Sequence, residues 1–413
     1  MSNFIVGKGA INTTDEAGQG RTTDGTPTGE ILPALGVLSI SGGSIVADSG
    51  FMVAQNDDSI GTLFMTGGKV QAAGDFRLGV DAVFTDGDGI ASFNGDNPAR
   101  GFAMITGGTI MASDFESAVS GVGEAHVGGN AVLQLADSLH AASAGGIGML
   151  SLAGNADVSV GSFVAVAPGT NGRGILNVGG NAKVRVMSGF NISTGTNTQA
   201  TVNLTGGEVE VAEGLVIRGV GASAGTLNQT AGLLSVDGTI DATNGGVHLF
   251  SGGTLTRSDA GDIDYSGDLT MSSTATVKFD ADKTLSVSGS FDVSGGGVFA
   301  LDGVTLDAGM DSYFFITVGN GNDFTDDTSL ENALLSGLIN PFGAIRITEL
   351  DFEAGNFNAL VDNVFSLVEG QGADGDGNIG IRWSIVPEPG SGLLSALLSL
   401  ALLLRRRRRT VRL

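Results

Sequence analysis

The sequence predicts an all-β protein: a parallel β-helix (β-solenoid) of about ten coils, then a small mixed terminal module and a C-terminal transmembrane helix. Three observations carry this. A strand-and-glycine unit recurs along the chain, most copies following one another at roughly 25 residues, within the range of solenoid repeats. Glycine supplies 69 of 413 residues, about 17 per cent against roughly 7 per cent in average usage. The chain ends in a proline-bounded break, an uncharged apolar stretch and an arginine run.

The repeat unit is a short apolar-polar-apolar strand, a glycine pair and a β-branched or apolar residue. Copies read Leu38-Ser39-Ile40-Ser41-Gly42-Gly43-Ser44-Ile45, Leu63-Phe64-Met65-Thr66-Gly67-Gly68-Lys69-Val70 and Ala103-Met104-Ile105-Thr106-Gly107-Gly108-Thr109-Ile110. Later copies begin at Val202, Leu227 and Val247, and a Gly-Asn-Ala variant starts at Gly129, Gly154 and Gly180. Alternation with period two marks a strand with one buried face. Gly-Gly or Gly-Asn tolerates positive φ and turns the corner. One such unit cannot bury its apolar face alone, whereas stacking the units does so and pairs each strand with the coils above and below. Propeller blades need about 40 or more residues per repeat, so the shorter period favours a solenoid. The longer gap between the second and third copies, from Leu63 to Ala103, holds an insertion over residues 81–100, read as a loop off the side of the stack.

The chain divides accordingly. Residues 1–30 are an N-terminal segment, 31–300 the solenoid, 301–386 a β-rich terminal module and 387–413 a separate tail. In the module, residues 313–318 and 380–386 read as strands. Thr328 to Glu331 has capping-box spacing before a short helical stretch over 331–336. A module here would cover the open strand edges of the last coil.

Composition removes several function classes. Cysteine is absent, which excludes a disulfide scaffold and a thiolate metal site. Glycine has no three-residue period and there are only 7 prolines, which excludes collagen. Acids outnumber bases 44 to 20. Residues 387–413 hold six arginines and one acid, a net of +5, so the −24 of the whole chain leaves −29 on the body. Such a body repels a phosphate backbone, so nucleic acid is not an expected partner.

The tail has its own order. Pro387, Glu388 and Pro389 form a non-helical break. Residues 391–404 are uncharged and mostly apolar, and Arg405, Arg406, Arg407, Arg408 and Arg409 follow without interruption. Fourteen residues make a helix of about 21 Å, short of the ~20 residues of a permanent span. Basic flanks orient such a segment with its C-terminus in the cytoplasm. This three-part order resembles the PEP-CTERM sorting signal of Gram-negative bacteria. The resemblance covers the tail alone. It implies export, recognition by the membrane protease exosortase at Pro387, Glu388 and Pro389, and removal of the tail. It also implies delivery to the cell surface or extracellular matrix, where such proteins accompany exopolysaccharide production. The repeat body is similar, more loosely, to the β-helical passenger regions of autotransporter-like surface proteins. The family carries an N-terminal signal peptide. Residues 1–8 lack a basic start followed by 7 to 15 apolar residues, so the expectation is that the signal is encoded upstream of Met1, the alternative being export by another route.

Catalytic and ligand signals are sparse. No GxSxG, HExxH or P-loop occurs. No arginine-acid constellation recurs between neighbouring coils in the linear sequence. His126 and His248 occupy the polar positions of repeat strands and are expected to face solvent. One Trp and two Tyr against 21 Phe argue for aromatic packing rather than a sugar-stacking platform. Asp374, Asp376 and Asn378 have the alternating oxygen spacing that opens a calcium loop. However, Ile379 stands where that loop needs glycine. Calcium is thus the one candidate ligand, and no other cofactor is expected. The expectation is a non-enzymatic, adhesin-like surface or matrix protein whose partners are exosortase, the membrane and the exopolysaccharide matrix. The alternative is a β-helical polysaccharide lyase or hydrolase carrying the same tail. Such an enzyme requires acids and a base gathered on one face across adjacent coils.

Overall fold

The computed structural model describes residues 4–8, 34–55, 59–80, 84–85, 91–92 and 98–302 (except 144, 220, 260, 281, 282, 284 and 290), with six short strands between 313 and 383. The described chain is an all-β parallel solenoid of about nine turns, with no helix among the described residues. Each coil has three sides. Face one begins with Ala34–Ile40, Ser59–Met65, Arg100–Ile105 and Val122–Val127, stacked parallel and in register. Face two begins with Ser44–Ala47, Lys69–Ala72 and Thr109–Ala112. Face three begins with Phe51–Gln55, Phe76–Val80 and Phe115–Glu116. Gln199–Val211 and Ala224–Val236 run through faces one and two as single strands.

The repeat register is the one the glycine copies predict. Leu38 stacks on Leu63, Leu63 on Ala103, and Val202 on Leu227. Strand burial alternates: in Ser59–Met65 every second residue, Ser59, Gly61, Leu63 and Met65, points inward and is buried. The corner between faces one and two repeats one backbone conformation. Gly43, Gly68, Gly108, Gly129, Gly154, Gly180, Gly207, Gly232 and Gly253 all have positive φ. At Gly108, φ is +87° and a Cβ would lie 2.6 Å from the Gly68 carbonyl oxygen. The corner therefore requires glycine both for its dihedral and because one coil's corner sits directly on the last.

Inside, like stacks on like. Phe4, Phe51, Phe76 and Phe115 form an aromatic column on face three, with ring centroids 4.9, 5.0 and 5.0 Å apart and planes within 12°. Leu139, Val164, Phe190, Leu215 and Ile240 continue it coil by coil. Parallel stacking places identical side chains one strand spacing apart, which suits offset aromatic contact. The column also recruits Phe4–Lys8, which pairs with Phe51–Gln55. The solenoid thus draws a strand from the N-terminal segment, ahead of the boundary that the repeats suggest.

The insertion leaves the stack undisturbed. Ser59–Met65 pairs directly with Arg100–Ile105, and Phe84–Thr85 pairs antiparallel with Ala91–Ser92 within the excursion. At the other end Tyr313–Val318 adds in parallel to Leu285–Val287 and pairs antiparallel with Gly377–Trp383. The latter also pairs antiparallel with Phe365–Gln371, so parallel stacking gives way to an antiparallel ladder. The helix expected over residues 331–336 lies outside the described residues.

The corner makes a paired prediction. Gly108→Ala should cost about 2 kcal/mol or more, because left-handed backbone and backbone contact both penalise a Cβ. Gly42, whose Cβ would meet nothing within 4 Å, should accept alanine within about 0.5 kcal/mol. Urea unfolding of the two variants checks this; equal losses would contradict the stacked corner.

Candidate functional site

Face three carries a cluster of charged groups that spans three coils. Phe76, Phe115 and Leu139 stack inward, so the next residues, Arg77, Glu116 and His140, stack in one outward column. Arg77 Nη2 is 2.6 Å from the Asp75 carboxylate, and Arg77 Nε is 2.9 Å from Glu116 Oε2. His140 Nδ1 is 3.3 Å from Glu116 Oε1. Glu116 is buried, with its side chain 10% exposed, and it touches a cation or potential cation on each side. The Phe163 ring packs against His140 at 5.5 Å.

Beside it, at the corner between faces two and three, Asp75 and Asp114 stack on each other with Asp137 close by. Ser138 donates its backbone N–H to Asp114 Oδ1 at 2.8 Å and its hydroxyl to Asp137 at 3.1 Å. Burial pushes the Asp114 carboxyl above its ordinary value, and the neighbouring Asp75 carboxylate adds to the rise against the Ser138 hydrogen bond. The corner borders an open groove of about 500 Å³ lined by Gln71, Ala73, Met111, Ser113, Gln134 and Ser159, among others. This part of the surface thus places a carboxyl with a raised pKa, a buried carboxylate, a guanidinium and an imidazole near one another. These are the group types of acid–base chemistry on a polymer.

The cluster occurs once and does not repeat from coil to coil, and stacking rather than sequence spacing brings its members together. The excursion after Val80 lengthens the sequence spacing between Arg77 and Glu116, although each of the pairs Arg77–Glu116 and Glu116–His140 is one coil apart in the stack. A further surface network on face two joins Lys183 to Glu208 at 2.6 Å and Arg185 to Asp157 and Glu210 at 2.8 and 3.4 Å. Its hydrogen bond to Lys183 lowers Glu208, whereas burial, with Glu208 beside it, raises Glu210. Exposed pairs of this kind contribute little to stability.

The histidine expectation holds for one residue and fails for the other. His126 is partly exposed on face one beside Glu124. His248 is buried, 5% exposed, while Val247 and Leu249 face out. The register explains the reversal. Leu227, an inward residue, stacks on His248, and outward Asn228 stacks on Leu249. The coil from Leu227 to His248 is shorter than the preceding one from Val202 to Leu227, and Val247 and Leu249 fall on the outside while Phe250 stays buried. His248 Nε2 lies 3.3 Å from Gln229 Oε1, and Gln229 donates to the Thr254 carbonyl at 2.9 Å. The His248 ring packs at 5.3 Å from Phe250 and 6.1 Å from Tyr265.

Of the other residues singled out in the sequence, Asn378 stands in the strand Gly377–Trp383 opposite Gly370. Asp374 and Asp376 lie outside the described residues, as do Pro387, Glu388, Pro389 and Arg405 to Arg409. Among the described residues no group of three His, Asp or Glu side chains is placed to hold a metal ion, and no helix is long and apolar enough to cross a membrane. Comparison of the chain with protein-family models, curated proteins and solved structures finds no match.

His248 makes the pH prediction. Burial lowers its pKa to about 4, against about 6.5 when unfolded. The unfolded chain therefore binds the extra proton between these values, and stability falls as pH drops from 6.5 toward 4. The loss should reach roughly 2–4 kcal/mol, relative to a His248→Leu variant measured across the same range by denaturant unfolding. Parallel pH profiles for the two proteins would contradict the burial of a neutral imidazole.

Proposed function

We propose that the chain is an exported structural protein of the cell surface or extracellular matrix, adhesin-like in role and sorted by exosortase through its C-terminal segment. The observation that carries this reading is the order of that segment: Pro387-Glu388-Pro389, the uncharged stretch 391–404, then Arg405 to Arg409. The apolar stretch acts as a temporary anchor, with the arginines on the cytoplasmic side. Pro387, Glu388 and Pro389 are then a substrate for another enzyme rather than chemistry of this chain. A solenoid suits the role, since its mechanism is geometric: it projects a repetitive, acidic surface from the cell toward neighbouring cells or an exopolysaccharide matrix. Calcium at Asp374, Asp376 and Asn378 is an accessory element of this proposal.

In a host with exosortase, the mature surface protein should lack Arg405 to Arg409. Mass spectrometry of the recovered chain checks it. An intact C-terminus on protein confined to the cytoplasm would sink the reading.

The face-three column favours one second reading, a β-helical lyase or hydrolase acting on a polysaccharide laid along that face. Glu116→Gln separates the two. It should leave matrix association unchanged for a structural protein, whereas an enzyme would lose at least about 100-fold of its polysaccharide-cleaving rate.

A further inference from the structure

Among the described residues, face one carries the most apolar outward surface. Six successive strands, from Ala34–Ile40 to Arg173–Val178, present three outward residues each, eighteen in all. Ten of the eighteen are apolar, among them Leu35, Val37, Phe64, Met104, Ile147 and Ile175, which are between 39% and 73% exposed. The only carboxylate among the eighteen is Glu124, on a chain that holds 44 acids. The corresponding outward positions of face two hold Lys69, Asp157, Lys183 and Arg185. At about 3.3 Å per residue and about 4.8 Å per coil, the face measures roughly 20 by 29 Å. A little over half of the outward positions on this face of roughly 600 Å² are apolar, an apolar patch in the range of those that serve as interaction sites.

We propose that this patch is the interface of a homodimer in which face one of one copy packs on face one of another. Charge permits a second copy as the partner: two bodies of strong negative charge repel on approach from most directions, and face one, with a single acid among its eighteen outward residues, lowers that repulsion. Area fits as well: about 600 Å² from each copy makes about 1,200 Å², the lower end of stable specific interfaces.

The charges that are present are self-complementary. Arg100 and Glu124 occupy the third and fourth of the six coils, adjacent in the stack through the pairing of Arg100–Ile105 with Val122–Val127. A two-fold axis along the strand direction at the centre of the patch exchanges those two coils. It brings Arg100 of each copy over the row that holds Glu124 of the other, and lays Arg173 over the uncharged first coil. The Phe64 and Phe102 rings, 6.3 Å apart and edge to face, lie near that axis.

Sedimentation velocity on the full chain tests the proposal. The expected species has twice the 41.4 kDa chain mass. Phe64→Glu with Met104→Glu should weaken association at least about 10-fold while leaving the melting temperature and far-UV circular dichroism unchanged, since both side chains point outward. Gln71→Glu with Gln134→Glu on face two should change nothing. Arg100→Glu and Glu124→Arg should each weaken the dimer, and together restore it. A monomer at every concentration up to about 100 µM overturns the proposal. So does a dimer indifferent to Phe64→Glu and Met104→Glu, which would place the contact elsewhere, for instance in the apolar tail. A monomer that binds anionic lipid vesicles through Phe64 and Met104 would assign the face to a membrane instead.

Discussion

Parallel, in-register stacking of one coil on the next is the interaction on which everything else depends. A single coil has three short strands and no second layer to bury them against. Its inward residues become a core only when the coils above and below close over them, and its backbone donors and acceptors are satisfied by those same neighbours. Register is therefore set by similarity. Phenylalanine sits on phenylalanine, glycine corner on glycine corner, and outward Asn177, Asn203 and Asn228 join amide to amide at 2.8 Å per step. Because the side-chain period is two, a one-residue slip would turn a whole inward column out to solvent.

That constraint divides the positions of the chain into kinds with different freedoms. The corner between faces one and two is held by backbone contact and left-handed dihedrals, so it accepts little but glycine. Inward columns accept any apolar residue that matches its neighbours. Outward columns are free, and chemistry accumulates there as vertical stripes. The Arg77–Glu116–His140 stripe on face three, the lysine, arginine and glutamate network on face two and the apolar stripe on face one are the three distinct surfaces that result. An excursion such as the one after Val80 is tolerated because the chain returns to the same register at Arg100.

Much of this is legible in the sequence, because a repeat writes its own period. The glycine pairs locate the corner, and alternation locates the inward face for most strands. The failures share a physical cause: local deviations from the period. Phe4–Lys8 is separated from Ala34 and the first glycine pair by the whole of segment 9–33, so nothing in the repeat pattern marks it as part of the stack. Alternation puts His248 on the wrong face because its coil is shortened and its apolar neighbours, Val247 and Leu249, have moved outside. The face-three column is invisible in the linear chain because Arg77, Glu116 and His140 belong to different coils and only stacking unites them. The apolar outward surface of face one escapes for a related reason. Its valines, isoleucines and phenylalanines look like ordinary strand formers until the partner rows show which way they point.

The central claim is that residues far apart in sequence rise along the stack at one strand spacing per coil. The absence of native cysteine makes this directly measurable. Gln71 and Glu210 occupy the same outward column of face two, five coils apart, through Met111, Gln134, Ser159 and Arg185. Spin labels on cysteines at these two positions should give one narrow distance centred at about 24 Å in a dipolar electron-spin-resonance measurement, at about 4.8 Å per coil. A broad distribution, or a distance beyond about 40 Å, would contradict the stacked solenoid.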